Sequence, residues 1–521
     1  MEERRYVKSV VVMHRRIVWL HLFAWMMMLI LLWRITHVML YTRLQTRLHV
    51  PYMNTIVRGE IVDRHGQILA SSVPSISSFC FVENIEDIEI FQQQMHSIFP
   101  ALNIALENKK GFVWLQRHVS PDEMQAILDM GIVGIEFCEC NKRTYPDREI
   151  FAKVVGNTDI DGNGISGIEL AHNAALNSRE RIRLSLDARI QYIAYRELMQ
   201  GLQKFDAKAA ASIVMDVTNG HVLAMCVVER ENAKSSDFNL LMHSSIEPGS
   251  CAKILNTALA FENGISAQEV FDATEPIKIY RFTINDYRGK KRPLTVEEIF
   301  KYSSNIGSAK MVDMIGAETQ YAFMYRLGLA SKMHGLAAPL FPKKASRINA
   351  MTMAFGHGFS CAPMHFANVI AGIINDGLMY EYTLLYDHKT NYKRLVSVET
   401  SRKIQALLEL NVRNGANRKA YVRGLRIGGK SGTTEKIVAG KYVKNANYTS
   451  FVGAFPMNSP RYLVYVLLDE PHGIPETYGY TTAGWNAAPV AAKIIEQIAV
   501  LYAIVPVEEP SIDELEAQLN S

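Results

Sequence analysis

Three short segments carry side chains that could perform acyl transfer if folding brought them together. In the first, Glu247-Pro248-Gly249-Ser250-Cys251-Ala252-Lys253 runs straight into the apolar pattern Ile254, Leu255, Ala258 and Leu259. That pattern predicts a helix ending near Gly264, with Ser250 at its start. A serine and a lysine three residues apart on a helix share a face, so the Lys253 amine could take the proton of the Ser250 hydroxyl and turn it into a nucleophile. The amine must be neutral for this. Burial, the positive end of a helix and a second lysine nearby would each lower the Lys253 pKa. An S-x-x-K match is by itself expected by chance in a chain of this length.

The second segment, Ser303-Ser304-Asn305, falls between two helical stretches, the first opened by a capping box at Thr295 and Glu298. It is therefore a loop able to present side chains to a cleft. Ser303 could relay a proton and Asn305 could hold a substrate amide. The third, Gly428-Gly429-Lys430-Ser431-Gly432-Thr433-Thr434, puts a cation and hydroxyls on a strand whose glycines allow a ligand to approach the backbone closely. Each segment alone reads more simply as a turn or a solvated strand end, but the three in this order are specific. Cys251 is a conceivable rival nucleophile; Lys253 is spaced for Ser250, and a free cysteine is usually a small core residue.

Regular elements must hold these segments in place. Ile190, Ile193, Ala194, Leu198 and Leu202 share one face of a helix over 187–202, which should pack on a sheet. Strands are predicted at Ala211–Met215 and His221–Val228, joined through Asn219-Gly220 as an antiparallel hairpin, and again at Ile427–Thr434, Thr449–Phe455 and Tyr462–Leu468. A closing helix is predicted at Ala487–Leu501. The fold class is α/β or α+β, with an antiparallel sheet flanked by helices. Upstream, from about Leu48 to Ser178, the pattern is mixed. It holds a strand-turn-strand over Ile56–Ala70 and a helix that starts at Ser120, Pro121 and Glu123 and stops at Gly131.

The chain has 521 residues, room for two to four domains, and its 48% hydrophobic and 21% charged content excludes collagen-like and disordered classes. Lys and Arg (56) exceed Asp and Glu (52) by only 4, too little to suggest a nucleic-acid surface. Six scattered cysteines without CxxC pairs argue against a disulfide scaffold or a zinc site. Asp159-Ile160-Asp161-Gly162-Asn163-Gly164 matches half of a calcium loop, but Leu170 stands where the bidentate Glu is required, so the segment reads as a polar turn.

From Ile17 to Trp33 the sole polar residue is His21, and after Arg34 the apolar character continues to Leu40. Apolarity runs around the whole helix, with Trp19, Trp25 and Trp33, which predicts a membrane span over 17–40 rather than a buried core helix. Arg34 can snorkel. Arg4, Arg5, Lys8, Arg15 and Arg16 precede the span, whereas Arg34, Arg43 and Arg47 follow it, so the positive-inside rule puts the N-terminus in the cytoplasm and the remainder outside. Bulky residues from Val38 to Thr46 offer no small-residue cleavage site, which predicts an uncleaved signal anchor.

Taken together, the three segments resemble the S-x-x-K, S-D-N and K-T-G signature of the penicillin-binding proteins. The likeness extends upstream. Arg58-Gly59-Glu60-Ile61-Val62-Asp63-Arg64-His65-Gly66-Gln67-Ile68-Leu69-Ala70 resembles the first pedestal motif of the monofunctional class B proteins, and Arg143-Thr144-Tyr145-Pro146 and Gly164-Ile165-Ser166-Gly167-Ile168-Glu169 resemble later ones. The Gly356-His357-Gly358 segment and Thr482-Ala483-Gly484-Trp485-Asn486-Ala487-Ala488-Pro489 are most similar to the cell-division (FtsI) branch. There are departures: Ser304 replaces the signature aspartate, and Ser431 the usual threonine.

The resemblance implies a pedestal domain over 48–178 and a transpeptidase domain over 183–505, which with the hydropathy and charge pattern leaves a cytoplasmic segment over 1–16, the anchor over 17–40 and an acidic tail over 506–521 that is either solvated or a short helix. It implies that Ser250 attacks the penultimate D-Ala carbonyl of a peptidoglycan stem peptide, that Lys253 is the base and that Ser303 and Lys430 complete the proton network. Asn305 would bind the acyl-side amide. The NH groups of Ser250 and Thr433 would form the oxyanion hole, and Lys430, Ser431 and Thr433, around Gly432, would hold the terminal carboxylate, a group that β-lactams share. No cofactor and no metal is implied. The expected partners are stem peptides, β-lactams as inhibitors, a membrane glycosyltransferase of the FtsW type and other division proteins, with the septum of the inner membrane as the location. An elongation-specific transpeptidase, a β-lactam sensor or β-lactamase, and a non-enzymatic division scaffold remain as alternatives.

Overall fold

The computed structural model describes residues 2–49, 57–100, 106, 110–230, 238–279, 282–438 and 440–520. Helix α1 (Glu2–His49) contains the sequence-predicted span; its segment Val10–Met39 is long and apolar enough to cross a membrane and leaves Trp19, Trp25 and Trp33 exposed. The chain divides into two compact units, residues 1–56 with 74–141, and residues 57–73 with 142–521.

In the first unit, beyond α1, the strand Phe112–Val119 pairs antiparallel with the far half of the strand Ile68–Phe81. Phe91 and Met95 of one helix and Ile127 of another close a small core over Val113 and Leu115. The second of those helices, Pro121–Asp129, begins as its sequence requires: the Ser120 hydroxyl accepts from the Glu123 NH, and the Glu123 carboxylate accepts from the Ser120 NH.

In the second unit the three pedestal motifs converge on one buried carboxylate. Glu169 is fully buried and accepts from Arg58 Nε at 2.6 Å and from Arg143 Nε at 2.8 Å; Arg58 also donates to the side chains of Asn173 and Asn177. The predicted strand-turn-strand is present as Ile61–Val62 pairing with the start of Ile68–Phe81 around Gly66 at φ 89°, while Ile56 lies outside the described residues. Asp159 spends its carboxylate on the backbone NH groups of Asp161 and Asn163, so the segment is a self-capped turn.

The main sheet of this unit has five antiparallel strands: β1 (Ala209–Asp216), β2 (His221–Glu229), β3 (Gly428–Val438), β4 (Lys441–Phe455) and β5 (Tyr462–Asp469), in the order β3-β4-β5-β1-β2. Asn219 and Gly220, at φ 76°, make the turn between β1 and β2. Side chains alternate between the two faces. Ala210 and Val214 of β1, with Val464 and Val466 of β5, meet Ile190, Ala194 and Leu198 of α2 (Ala188–Lys204) and Ile495 and Ile498 of a C-terminal helix, Ala487–Leu501. Ile193, expected on that face, is only half-buried. Ala211, Ile213 and Met215 face the opposite core, filled by Leu255 and Ala258 of α3 (Lys253–Glu262) and, after α4 (Val296–Tyr302) and α5 (Asn305–Ile315), by Leu407 and Leu408 of α6 (Val398–Asn414). The helix Ala487–Leu501 is α7. Of the two readings of the acidic C-terminal segment, the short helix is the one present, and it is not solvated all round: α8 (Ile512–Asn520) inserts Leu515 and Leu519, 0% and 1% exposed, into the core beside α6. Among the described residues β3 pairs with one strand, β4, so beyond Gly429, whose carbonyl accepts from Asn411 Nδ2, its other edge has no strand partner and could take up a ligand.

Candidate active site

Ser250 lies on a single 3-10 turn, Gly249–Ala252, that leads into α3. In that tight winding residues three apart eclipse one another. Lys253 therefore stands over Ser250, with its Nζ 3.0 Å from Ser250 Oγ. The helix start expected from the sequence is present, but in the tighter form that brings the two side chains into register.

Ser303 ends α4 in the left-handed conformation, φ 58° and ψ 42°, and Ser304 caps α5. This reversal turns Ser303 and Asn305 toward Lys253. The Lys253 amine donates to the Ser303 carbonyl at 2.9 Å and to Asn305 Oδ1 at 2.7 Å, and lies 3.1 Å from Ser303 Oγ. From the sheet side, Lys430 on β3 donates to the same Ser303 Oγ at 3.1 Å and to the Ser431 carbonyl at 3.1 Å. Five of the sequence-predicted residues, Ser250, Lys253, Ser303, Asn305 and Lys430, thus form one continuous hydrogen-bonded cluster. Ser431, Gly432 and Thr433 continue along β3. Gly432 has to be glycine here: a Cβ would sit 2.5 Å from the Pro248 carbonyl oxygen, just before the Ser250 turn. The Thr433 hydroxyl accepts from the Ala483 NH at 3.1 Å.

Both lysines are buried, each 1% exposed. Burial pushes the Lys253 amine well below its ordinary pKa, the Lys430 charge pushes it further, and Asp286 pulls the other way. Burial lowers Lys430 to about 8. A neutral amine has two NH donors and one lone pair. With the donors directed at the Ser303 carbonyl and Asn305 Oδ1, the lone pair is left for the Ser250 hydroxyl proton, which is the arrangement a general base needs.

Asp286 escaped the sequence reading. Its carboxylate accepts from the Ser304 hydroxyl at 2.7 Å and from the NH groups of Asn305 and Ile306 at 2.5 and 2.9 Å, so it anchors the start of α5 and the Asn305 side chain on it. The signal available was the missing carboxylate at position 304, together with an Asn285-Asp286 pair in a glycine-containing loop. Cys251, weighed as a rival nucleophile, is fully buried, its thiol is pushed up by burial, and its Sγ donates to the Lys430 carbonyl at 3.4 Å. Burial drives the nearby His357 down to about 4, and any proton on Lys253 pushes in the same direction.

Comparison with known proteins agrees with this geometry. Residues 210–496 match the penicillin binding protein transpeptidase domain, and residues 55–185 the penicillin-binding protein dimerisation domain. The chain is 30% identical over 475 residues to the probable peptidoglycan D,D-transpeptidase FtsI of Caulobacter vibrioides, covering 85% of this chain and 81% of that protein. It is 30% identical over 482 residues to the probable peptidoglycan D,D-transpeptidase PenA of Neisseria gonorrhoeae, covering 82% of each. Escherichia coli FtsI is 27% identical over 492 residues, covering 84% of this chain and 82% of that protein. Among solved structures, penicillin binding protein 3 of Mycobacterium tuberculosis complexed with aztreonam superposes with a TM-score of 0.68 at 22% identity, over 87% of this chain and 98% of the other, a likeness of fold. These matches over most of the chain place it in a family: the chain belongs to the class B penicillin-binding proteins, the peptidoglycan D,D-transpeptidases.

Proposed function

We propose that this transpeptidase works through Ser250 and serves septal wall synthesis in cell division. Lys253 takes the Ser250 proton as Oγ attacks the penultimate D-Ala carbonyl, and the oxyanion is held by the NH groups of Ser250 and Thr433. As the C–N bond breaks, the proton passes through Ser303 to the departing D-Ala nitrogen. The acyl group then waits on Ser250 until an amine from a neighbouring strand attacks it, giving up a proton to Lys253, which passes it to Ser250 Oγ as the ester bond breaks and so restores both the serine and the neutral base. Lys430, Ser431 and Thr433 hold the terminal carboxylate of the donor. The observation that carries this reading is the meeting of Ser250, Lys253, Ser303, Asn305 and Lys430 in one cluster, from segments as far apart in sequence as Lys430 and Ser303.

Labelling with a fluorescent penicillin tests it. Wild type should hold the drug as a slowly released adduct and Ser250→Ala should not be labelled; rapid turnover of penicillin would favour a β-lactamase instead. Full viability of Ser250→Ala would favour a scaffold role. The division assignment draws support from the FtsI relatives. It brings with it an FtsW-type glycosyltransferase partner, since the pedestal carries no glycan-polymerising motif. Filamentation on depletion is the expected phenotype, and round cells would favour an elongation enzyme. An N-terminus inside the cell and a periplasmic catalytic domain predict that alkaline phosphatase fused after Ser521 is active.

A further inference from the structure

Glu247 precedes the nucleophile by three residues and has no part in the proton network, yet it is buried, 7% exposed, and its carboxylate gathers donors from three distant segments. The Gly358 NH donates to it at 2.8 Å, the Tyr442 hydroxyl lies 3.1 and 3.3 Å from its two oxygens, and the Thr434 hydroxyl is at 3.3 Å. Around these bonds the main chains touch directly. Ile246 and Cys361 exchange backbone hydrogen bonds at 2.9 and 3.2 Å, and the Gly249 NH donates to the Gly356 carbonyl at 3.2 Å. A Cβ on Gly356 would come within 1.9 Å of the Gly249 carbonyl oxygen, and one on Gly249 within 3.0 Å of the Thr433 carbonyl oxygen. The turn bearing Ser250 is therefore wedged between the 356–358 loop and β3 at glycine-only distances, and the Glu247 side chain ties all three together.

We infer that Glu247 is a positioning residue for the oxyanion hole: by holding its own segment to Thr434 on β3 and to Gly358, it fixes the spacing between the NH groups of Ser250 and Thr433. The inference rests on the reading that those two NH groups receive the oxyanion. A carboxylate suits the task because three donors converge on it, whereas a glutamine would present one acceptor oxygen and turn its NH2 toward donors. Displacing preorganised donors by a fraction of a bond length weakens transition-state stabilisation while leaving ground-state binding largely intact.

The test uses the full chain in detergent and measures penicillin acylation by rapid mixing, so that the dissociation constant of the encounter complex and the rate of the acylation step are resolved separately. Affinity for phenylboronic acid, whose tetrahedral adduct places an oxygen in the same hole, is measured alongside. Glu247→Gln should slow the acylation step about tenfold or more and weaken the boronate in proportion, with encounter binding changed less than about twofold. Tyr442→Phe, at a half-exposed position, should show the same split in smaller measure, and it stands in if Glu247→Gln does not fold. Acylation within about twofold of wild type, or equal losses in binding and acylation, overturns the inference. Ser250→Ala separates the two readings: labelling of that variant sinks the nucleophile assignment itself, whereas an unlabelled Ser250→Ala beside a fully active Glu247→Gln sinks only the positioning role.

Discussion

Asp286 supplies, from another loop, the carboxylate that position 304 lacks, and at the residue scale this has two consequences. It satisfies the Ser304 hydroxyl and two NH groups at the start of α5, and its charge opposes the lowering of the Lys253 pKa. Asp286→Asn should therefore slow penicillin acylation as the Asn305 end of α5 loosens, and should also move the acid limb of the acylation-pH profile to lower pH, because Lys253 then loses its proton more readily. A limb that stays in place would exclude the electrostatic part. Lys430 gives a second pH signature. Its folded pKa of about 8 lies below the ordinary 10.5, so between those values the unfolded chain binds more protons and this group makes stability rise with pH. Lys430→Met should accordingly gain on wild type most below about pH 8, by roughly 3 kcal/mol, and the gap should close near pH 10.5, read by denaturant unfolding across that range. Ser250 and Lys253 were legible in the sequence from their spacing on a helix, and Ser303, Asn305 and Lys430 from motifs that resemble the penicillin-binding protein signature. Asp286 was not, since its partnership with Ser304 crosses 18 residues and depends on the path of a loop.

At the scale of elements, the strands that alternate apolar and small residues were read nearly to their ends, and α7 was placed where it lies. What was missed lay where the physical signal fades. The β3–β4 hairpin runs on to Val438 and from Lys441, well past Thr434 and before Thr449, because its outer part mixes exposed apolar residues, Ile437, Tyr442 and Val443, with charged and polar ones and leaves no two-residue period in the sequence. The acidic charges of the last segment hid the Leu515 and Leu519 pair that docks α8. Four residues apart, they present one apolar stripe. Leu515→Ala should destabilise the protein by about 3 kcal/mol through the cavity it leaves, while acylation by the folded fraction is unchanged, because the residue does not touch the cleft. Equal unfolding midpoints for variant and wild type would mean that α8 does not contribute to the core.

For the molecule as a whole, the upstream motifs could be recognised without disclosing their purpose, which is a buried charge cluster: Glu169 between Arg58 and Arg143. Glu169→Gln would leave two buried guanidinium groups without their counter-charge and should cost about 3–5 kcal/mol, measured by denaturant unfolding, with the penicillin-labelled fraction falling only as the folded fraction does. A variant as stable as wild type would remove the cluster from the account of the fold. The resting catalytic cluster has a different consequence. Ser303 Oγ, Asn305 Oδ1 and both amines are already partnered within the protein, and one of the two Asn305 Nδ2 hydrogens goes to the Asn285 carbonyl at 3.1 Å. An arriving peptide or drug thus swaps hydrogen bonds within this cluster and adds new ones mainly along the free edge of β3, so the cluster itself contributes little to the strength of the encounter complex. Discrimination then leans on how fast the covalent bond forms, and a reversible inhibitor without an electrophile has to take its grip from the β3 edge rather than from the catalytic side chains.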